Sequence, residues 1–517
     1  MAFIRKHLRK GKAYYSVVET FRVGNVVRQR ILHYLGSETG YSQFLKQSMN
    51  ADAFFSSDLE NLLYQTPVSL WNLMEEMKLK ETFSKYFPKK EWGVDAATAA
   101  CVMVLNYATD RQSKCRFSDW YGETYLPHLL KIPASKMNKD LLCRTMDCFT
   151  EGNIGEIHAE IFKTANEKYQ LLDKRIFYDT TAMTFEGKEC DLAKHGYNSQ
   201  HAYKLQVNVA LATTEEKFPV MHKVFQGGTK DVSTLEKMMP LLEKTGNLEK
   251  TVFIVDRGIT SQANVGLIKS KNAQFIFGQP KNISISTTIA ALKETMFTKI
   301  DDDVSFHETT HEKDRLLIYW SKKLQAENKE FREKRLRKIR EQLSKLAKNA
   351  GRYEKKQSRL YEKIGKTCGT YRKFFDVKFE KELFFKLKEG IVIKANLTDG
   401  RYAILTNTVL APEEVLKHYR ERNFIEMSFK DLKLFVNIGP PRHWKDRRVL
   451  AHVFLAILAF GLRSVVELKV RRNRLQITSE EAINQLNKVR ALFCKGRVLK
   501  LTGQTEEIAK IVSAIES

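Results

Sequence analysis

Acidic residues are the scarcer charge in this chain: 61 Asp and Glu stand against 87 Lys and Arg, leaving a formal net charge of +26 over 517 residues. An imbalance of that size favours a polyanionic partner, and nucleic acid is the usual one. A membrane surface is the weaker alternative, because the sequence carries no lipidation signal. Cysteine is also sparse. The seven (Cys101, Cys115, Cys143, Cys148, Cys190, Cys368 and Cys494) are scattered, odd in number and without a CxxC pair. This argues against a disulfide framework or a zinc finger and leads us to expect a reducing, cytoplasmic setting. The basic start MAFIRKHLRKGK is followed by no apolar stretch, so no secretory signal is expected. Long hydrophobic runs are lacking too. The longest, near Val449 to Leu462, includes His452 and spans about 14 residues, which suits a buried helix better than a membrane crossing.

Two apparent motifs lack what their chemistry requires. Gly365-Lys366-Thr367 resembles the end of a phosphate loop, but Leu360 stands where the earlier glycine is needed and no strand precedes it. His307-Glu308-Thr309-Thr310-His311 spells HExxH, which binds zinc only on a helix that puts both histidines on one face. Its flanks alternate as strands do, so catalytic zinc is not expected.

What is present is a globular chain, 43% hydrophobic, long enough for two to four domains. Residues 1–58 alternate in strand fashion around a Gly24-Asn25 turn, predicting a basic hairpin module. Residues 59–170 switch to helical periodicity and read as a helical, DNA-binding domain, with plain scaffolding an open alternative. In 171–279, RIFYDTTAMTF, AYKLQVNVALAT and FPVMHKVFQGG read as three strands. A helix, the strand TVFIVDRG, the helix SQANVGLIKS and the strand AQFIFGQP follow, an α/β pattern with a mixed sheet. Asp179 and Asp256 are expected at C-terminal strand ends, where open α/β sheets place their chemistry. His195, Tyr197, Asn198 and His201 read as a polar turn beyond the first of these. Residues 280–400 interrupt the core with a hairpin, a long charge-dense helical arm and a strand EGIVIKAN. Residues 401–475 return to the core, and 476–517 read as a short helical tail.

The stretch EEVLKHYRERNFIEMSFKDLK, Glu413 to Lys433, predicts one amphipathic helix opened by Pro412 and two glutamates. At about 100° per residue, Tyr419, Arg422, Glu426 and Lys433 share an arc of roughly 60°. A solvated face with i,i+4 ion pairs is the plain alternative. A carboxylate flanked by cations, together with Asp179 and Asp256, instead suits divalent metal beside a polyanion. Hard Mg²⁺ prefers carboxylate oxygen, and two ions about 3.5–4 Å apart can serve phosphodiester chemistry.

With these residues in view, the chain resembles the DDE-type insertion-sequence transposases marked by the signature Y-x2-R-x3-E-x6-K. Tyr419, Arg422, Glu426 and Lys433 fill that signature without a gap. FYDTT around Asp179 and FIVDRG around Asp256 resemble its two acidic boxes, with GGTKDVSTL between them. RKGKAYYSVVETFR and PPRHWKDRRVLAHVFLAILA extend the likeness over most of the chain.

The resemblance implies a ribonuclease H-like catalytic core split by an insertion domain, with N-terminal DNA-binding regions. It implies a transposase that cuts terminal inverted repeats and joins 3′-hydroxyl ends to target DNA as a synaptic homodimer. Asp179, Asp256 and Glu426 would be the catalytic metal ligands for two Mg²⁺ ions, with Mn²⁺ an acceptable substitute. Arg422 and Lys433 would contact phosphates, with Tyr419, Arg257 and Lys430 as further DNA contacts. Some such relatives stack a flipped base on an insertion-domain tryptophan, which here could only be Trp320; strand-core packing is its other reading. The long charged helix departs from the mainly β insertion of several relatives. A catalytically silent DNA-binding derivative, and a ribonuclease H-like nuclease that cuts without joining, remain alternatives.

Overall fold

In a computed structural model of the chain, the described residues are 2–9, 12–23, 26–37, 40, 59–89, 93–171, 174–187, 189–197, 202–353, 357–380, 382–434, 436, 438–439, 441, 443–494 and 496–517. They form two compact units. The first takes residues 1–230, 236–247 and 424–517; the second takes 231–235 and 248–423.

The first unit opens with three antiparallel strands, Ala2–Arg9, Lys12–Val23 and Val26–Ser37. The expected hairpin is there with one strand more; its Gly24-Asn25 turn lies outside the described residues. Helices from Gln65–Glu76 to Glu151–Tyr169 follow, as the periodicity indicated. The last of them starts with a reciprocal Thr150–Asn153 capping box, which satisfies two backbone N–H groups left over at a helix start.

The apolar run belongs to the helix Asp446–Arg472, whose 27 residues make it much longer than the sequence suggested. Its ends are charged, and the run hid its length. Among the described residues it is the one helix long and apolar enough to cross a membrane, yet 94% of its most apolar window is buried inside the protein.

The C-terminal segment corrects the expectation of a helical tail. Two helices, Ser479–Leu486 and Glu506–Glu516, flank the strands Arg490–Cys494 and Arg497–Thr502. The strand Arg490–Cys494 pairs back to Glu60–Leu63, more than 400 residues earlier. RALFC is short, apolar and buried, so burial between partners rather than local preference sets its form.

At the heart of this unit, Tyr203–Thr213 is the central strand. Arg175–Thr184 pairs antiparallel along one edge, while Pro219–Gln226 and Lys194–Tyr197 share the other. His195 and Tyr197 therefore sit on a strand and not in a turn; Asn198 and His201 lie outside the described residues.

In the second unit, Val252–Val255 and Gln274–Gly278 run parallel, joined by the helix Gln262–Ser270. Arg401–Thr406, Asp314–Ser321 and Val304–His311 then add antiparallel strands, making the sheet mixed. The HExxH residues lie on the strand Val304–His311, so no helical zinc face exists. Glu312 and Lys313 both take positive φ (50° and 73°) at the hairpin turn.

The charged helix Lys322–Lys348 is not a bare arm. Leu336, Ile339 and Leu343 pack with Leu360, Ile364 and Cys368 and with a hairpin of Phe375–Phe379 and Leu383–Leu387. Apolar residues at i, i+3 and i+7 suffice for a narrow stripe despite the surrounding charge. EGIVIKAN, expected as a strand, lies in the helix Glu389–Thr398, where Ile391, Val392 and Ala395 pack on the same small core. Tertiary packing overrides its β-branched composition.

Candidate active site

In the first unit, Asp179 is the fifth of ten residues in the strand Arg175–Thr184, and so lies mid-strand, not at its end. Pairing with Tyr203–Thr213 continues past it, Asp179 opposite Leu211, because the β-prone Thr-Thr-Ala-Met-Thr stretch extends the ladder. Asp179 is half-buried, and its Oδ1 accepts the Thr180 N–H at 2.7 Å. Phe177, Asp179 and Thr181 share one face of the strand, since strand side chains alternate.

That face meets the helix Asn423–Leu434. Phe177 and Phe424 make an edge-to-face contact with centroids 5.8 Å apart, and Lys433 Nζ donates to Thr181 Oγ1 at 2.8 Å. The Glu426 helix is thus tied to the Asp179 strand on both sides of Asp179. Glu426 itself is exposed, as is Lys430. Lys433 is exposed as a whole residue, but burial around its ammonium end lowers its pKa below the usual lysine value.

The signature segment is two helices rather than one. Pro412–Glu421 ends at Arg422, and Asn423–Leu434 begins directly after it. Asn is a weak helix former in an interior and a good one at a start, which fits the break. The break divides the signature: Tyr419 and Arg422 belong to the second unit, Glu426 and Lys433 to the first.

In the second unit, Asp256 directly follows the strand Val252–Val255, as expected, and is half-buried. Arg422 Nη1 lies 2.7 Å from Asp256 Oδ1, and the Tyr419 hydroxyl donates to the same oxygen at 3.4 Å. Burial raises the Tyr419 pKa to about 12, with Asp256 adding to the shift. Arg257 is exposed; its charge helps depress the pKa of Lys281, though burial is the larger cause.

Gly278 was missed by the sequence reading. A Cβ there would meet the Tyr419 hydroxyl at 2.1 Å, so only glycine lets that ring reach Asp256. Thr260 ties the segment after Asp256 to this strand end, donating to the Gly278 carbonyl at 2.8 Å. Nothing in FGQP marks the glycine as special, because its partner is 141 positions away. Thr181 was also missed, although its place two residues from Asp179 was a usable signal.

Trp320 is engaged in packing. Its indole N–H donates to Gln325 Oε1 at 3.2 Å, Phe297 stands edge-on at 5.5 Å, and the Arg401 guanidinium lies 5.4 Å from its centroid. The ring is half-buried rather than part of the core.

The transposase DDE domain family model matches residues 171–462, more than half of the chain. The chain belongs to this family. The match takes in Asp179, Asp256 and Glu426. No curated protein matches the chain. A solved piggyBac transposase synaptic complex with hairpin DNA aligns over 84% of this chain and 82% of that one, with 9% identity and a TM-score of 0.42.

For this DDE-family chain, the donor chemistry of the three carboxylates fits a hard divalent cation, which prefers oxygen. Among the described residues, no three His, Cys, Asp or Glu side chains are grouped as a metal site. The Asp256 carboxylate is instead neutralised by Arg422.

Proposed function

We propose that this DDE-family protein is a DNA transposase of the Y-R-E-K group, with a ribonuclease H-like core split by an insertion. It cuts duplex DNA at terminal inverted repeats and joins the 3′-hydroxyl ends to target DNA, acting in the cytoplasm as a synaptic homodimer. The observation that carries this reading is the pairing of the Asp179 strand with the Glu426 helix through Phe177–Phe424 and Lys433–Thr181.

Asp179, Asp256 and Glu426 are assigned as ligands of two Mg²⁺ ions, which Mn²⁺ can replace. Such ions lower the pKa of the attacking water or 3′-hydroxyl and stabilise the leaving oxygen. The chain's own part is to present the carboxylates and hold the DNA in register. Arg422, Lys433, Arg257 and Lys430 supply cations for phosphate oxygens, with the planar guanidinium of Arg422 suited to a two-point grip. Tyr419, held against Asp256, limits where that carboxylate can turn. Trp320 is not assigned a DNA contact, because its ring is already packed.

A second reading has one observation in its favour. The Asp256–Arg422 ion pair, which engages one of the three assigned carboxylates, suits a catalytically silent DNA-binding protein. The deciding experiment incubates the full chain with Mg²⁺, supercoiled target plasmid and duplexes ending in the element's inverted repeats. Cleaved ends joined to plasmid support the transposase. Cleavage without joining indicates a nuclease, and salt-dependent binding without cleavage indicates the silent protein.

A further inference from the structure

The first unit carries a second basic cluster, in the chain just beyond the signature helix that ends at Leu434. Trp444 is 60% exposed, whereas Trp71 and Trp120 are buried. Lys445 and Arg447 beside it are exposed as well. Lys114 reaches His443 Nε2 at 3.0 Å, and Arg111 donates to the Gly439 carbonyl at 3.3 Å. Arg448 pairs with Asp147 at 2.6 Å.

The acids here are already committed. Asp147 is taken by Arg448, whose hydrogen bond is the main reason its carboxyl titrates lower than usual; Lys445 and Arg447 add to this. Asp446 accepts from the Asp191 N–H at 2.9 Å and from Cys190 Sγ at 3.0 Å. Arg111, Lys114 and Arg447 meet neutral acceptors: the Gly439 carbonyl, His443 Nε2 and, at 3.2 Å, the Asp147 carbonyl. The crowding is visible in its effect. Burial, reinforced by Arg111 and Arg448, brings Lys114 down to about 8. Burial and the cations Lys114, Arg448 and Arg111 bring His443 down to about 3.

An exposed indole followed in the chain by the exposed cations Lys445 and Arg447 has a specific complement: a phosphate chain that also offers flat apolar faces. We infer that the surface formed by Trp444, Lys445 and Arg447 is a DNA-binding site. Its lysine and arginine neutralise backbone phosphates, and the Trp444 ring stacks on an unpaired base of the same strand. This deepens the DNA-processing reading above and rests on it. Charge complementarity selects DNA over an acidic protein, because a carboxylate chain would leave the indole unmatched.

The test is equilibrium binding of the full chain to a fluorescein-labelled random-sequence duplex carrying a single-stranded overhang, across a series of KCl concentrations. Lys445→Ala with Arg447→Ala should lower the slope of log K against log salt by about 1.8, at roughly 0.9 per phosphate contact. Trp444→Ala should weaken binding by about 5- to 100-fold, while Trp444→Phe retains most of the affinity. All three sites are exposed, so folding is spared; unchanged circular dichroism checks this. The inference is overturned if wild type binds the duplex and these variants match it in affinity and slope. If wild type shows no salt-dependent DNA binding, the transposase reading falls with it.

Discussion

Lys433 donates to Thr181 across 2.8 Å, and with the Phe177–Phe424 contact that bond sets the register between the helix that carries Glu426 and the strand that carries Asp179. Glu426 and Lys433 are seven residues apart on one helix face, while Asp179 and Thr181 are neighbours on one strand face. A contact between one pair therefore directs the other pair toward the same space.

Asp179→Asn and Glu426→Gln should each lower strand cleavage by at least about a hundredfold while leaving duplex affinity within about threefold, because phosphate transfer depends on the carboxylates' grip on divalent ions. Gel analysis of terminal-repeat duplexes in Mg²⁺, beside a binding titration, reads both. Near-normal turnover in either variant would reject the metal assignment.

Arg422 and a divalent cation would compete for Asp256 Oδ1. Arg422→Gln should therefore raise apparent Mn²⁺ affinity, by roughly three- to tenfold, even as cleavage falls through loss of a phosphate contact. Calorimetric titration of Mn²⁺ into the two proteins checks the sign. Equal or weaker Mn²⁺ binding in the variant would mean that the guanidinium does not guard this carboxylate.

Gly278→Ala should cost about 1–3 kcal/mol of stability, because the new methyl group overlaps the Tyr419 hydroxyl. Combining it with Tyr419→Ala should recover part of that loss. A thermal-denaturation double-mutant cycle measures the coupling, and strict additivity of the two changes would remove the packing argument.

His158 and His222 form a buried pair, Nδ1 to Nδ1 at 2.9 Å, with His158 Nε2 on the Pro219 carbonyl at 3.2 Å. That carbonyl can only accept, so His158 donates to it and His222 donates within the pair. Burial lowers His158 from 6.5 to about 4, and burial, with His158 and Lys223 adding, lowers His222 well below its usual value. The unfolded chain therefore binds protons that the folded one refuses. Stability is complete above about pH 6.5 and is lost as pH falls toward 4, by on the order of 3 kcal/mol for His158. His158→Gln should flatten denaturation midpoints measured between those values; an unchanged slope would exclude the pair as the cause.

How much of this was legible beforehand differs element by element. The alternation in VSFHETTHEKDRLLIYW specified a hairpin, and the strand–helix–strand step around Asp256 was equally plain, since both follow from side-chain periodicity and local turns. The signature residues could be picked out by spacing alone. Their division between two helices could not, because one consistent stripe continues through Arg422 and Asn423 with no proline or glycine to mark the break.

Order along the chain determined the acids, the cations and the basic excess that points to DNA. Only the tertiary structure decided that Asp179 lies mid-strand, that Arg490–Cys494 is a strand paired with Glu60–Leu63, that Gly278 makes room for Tyr419, and that Trp320 is packed while Trp444 is exposed. The physical reason is common to all four. Each depends on whether a segment far away in sequence covers the residue, and burial against a distant partner outweighs the fraction of a kcal/mol that local preference contributes.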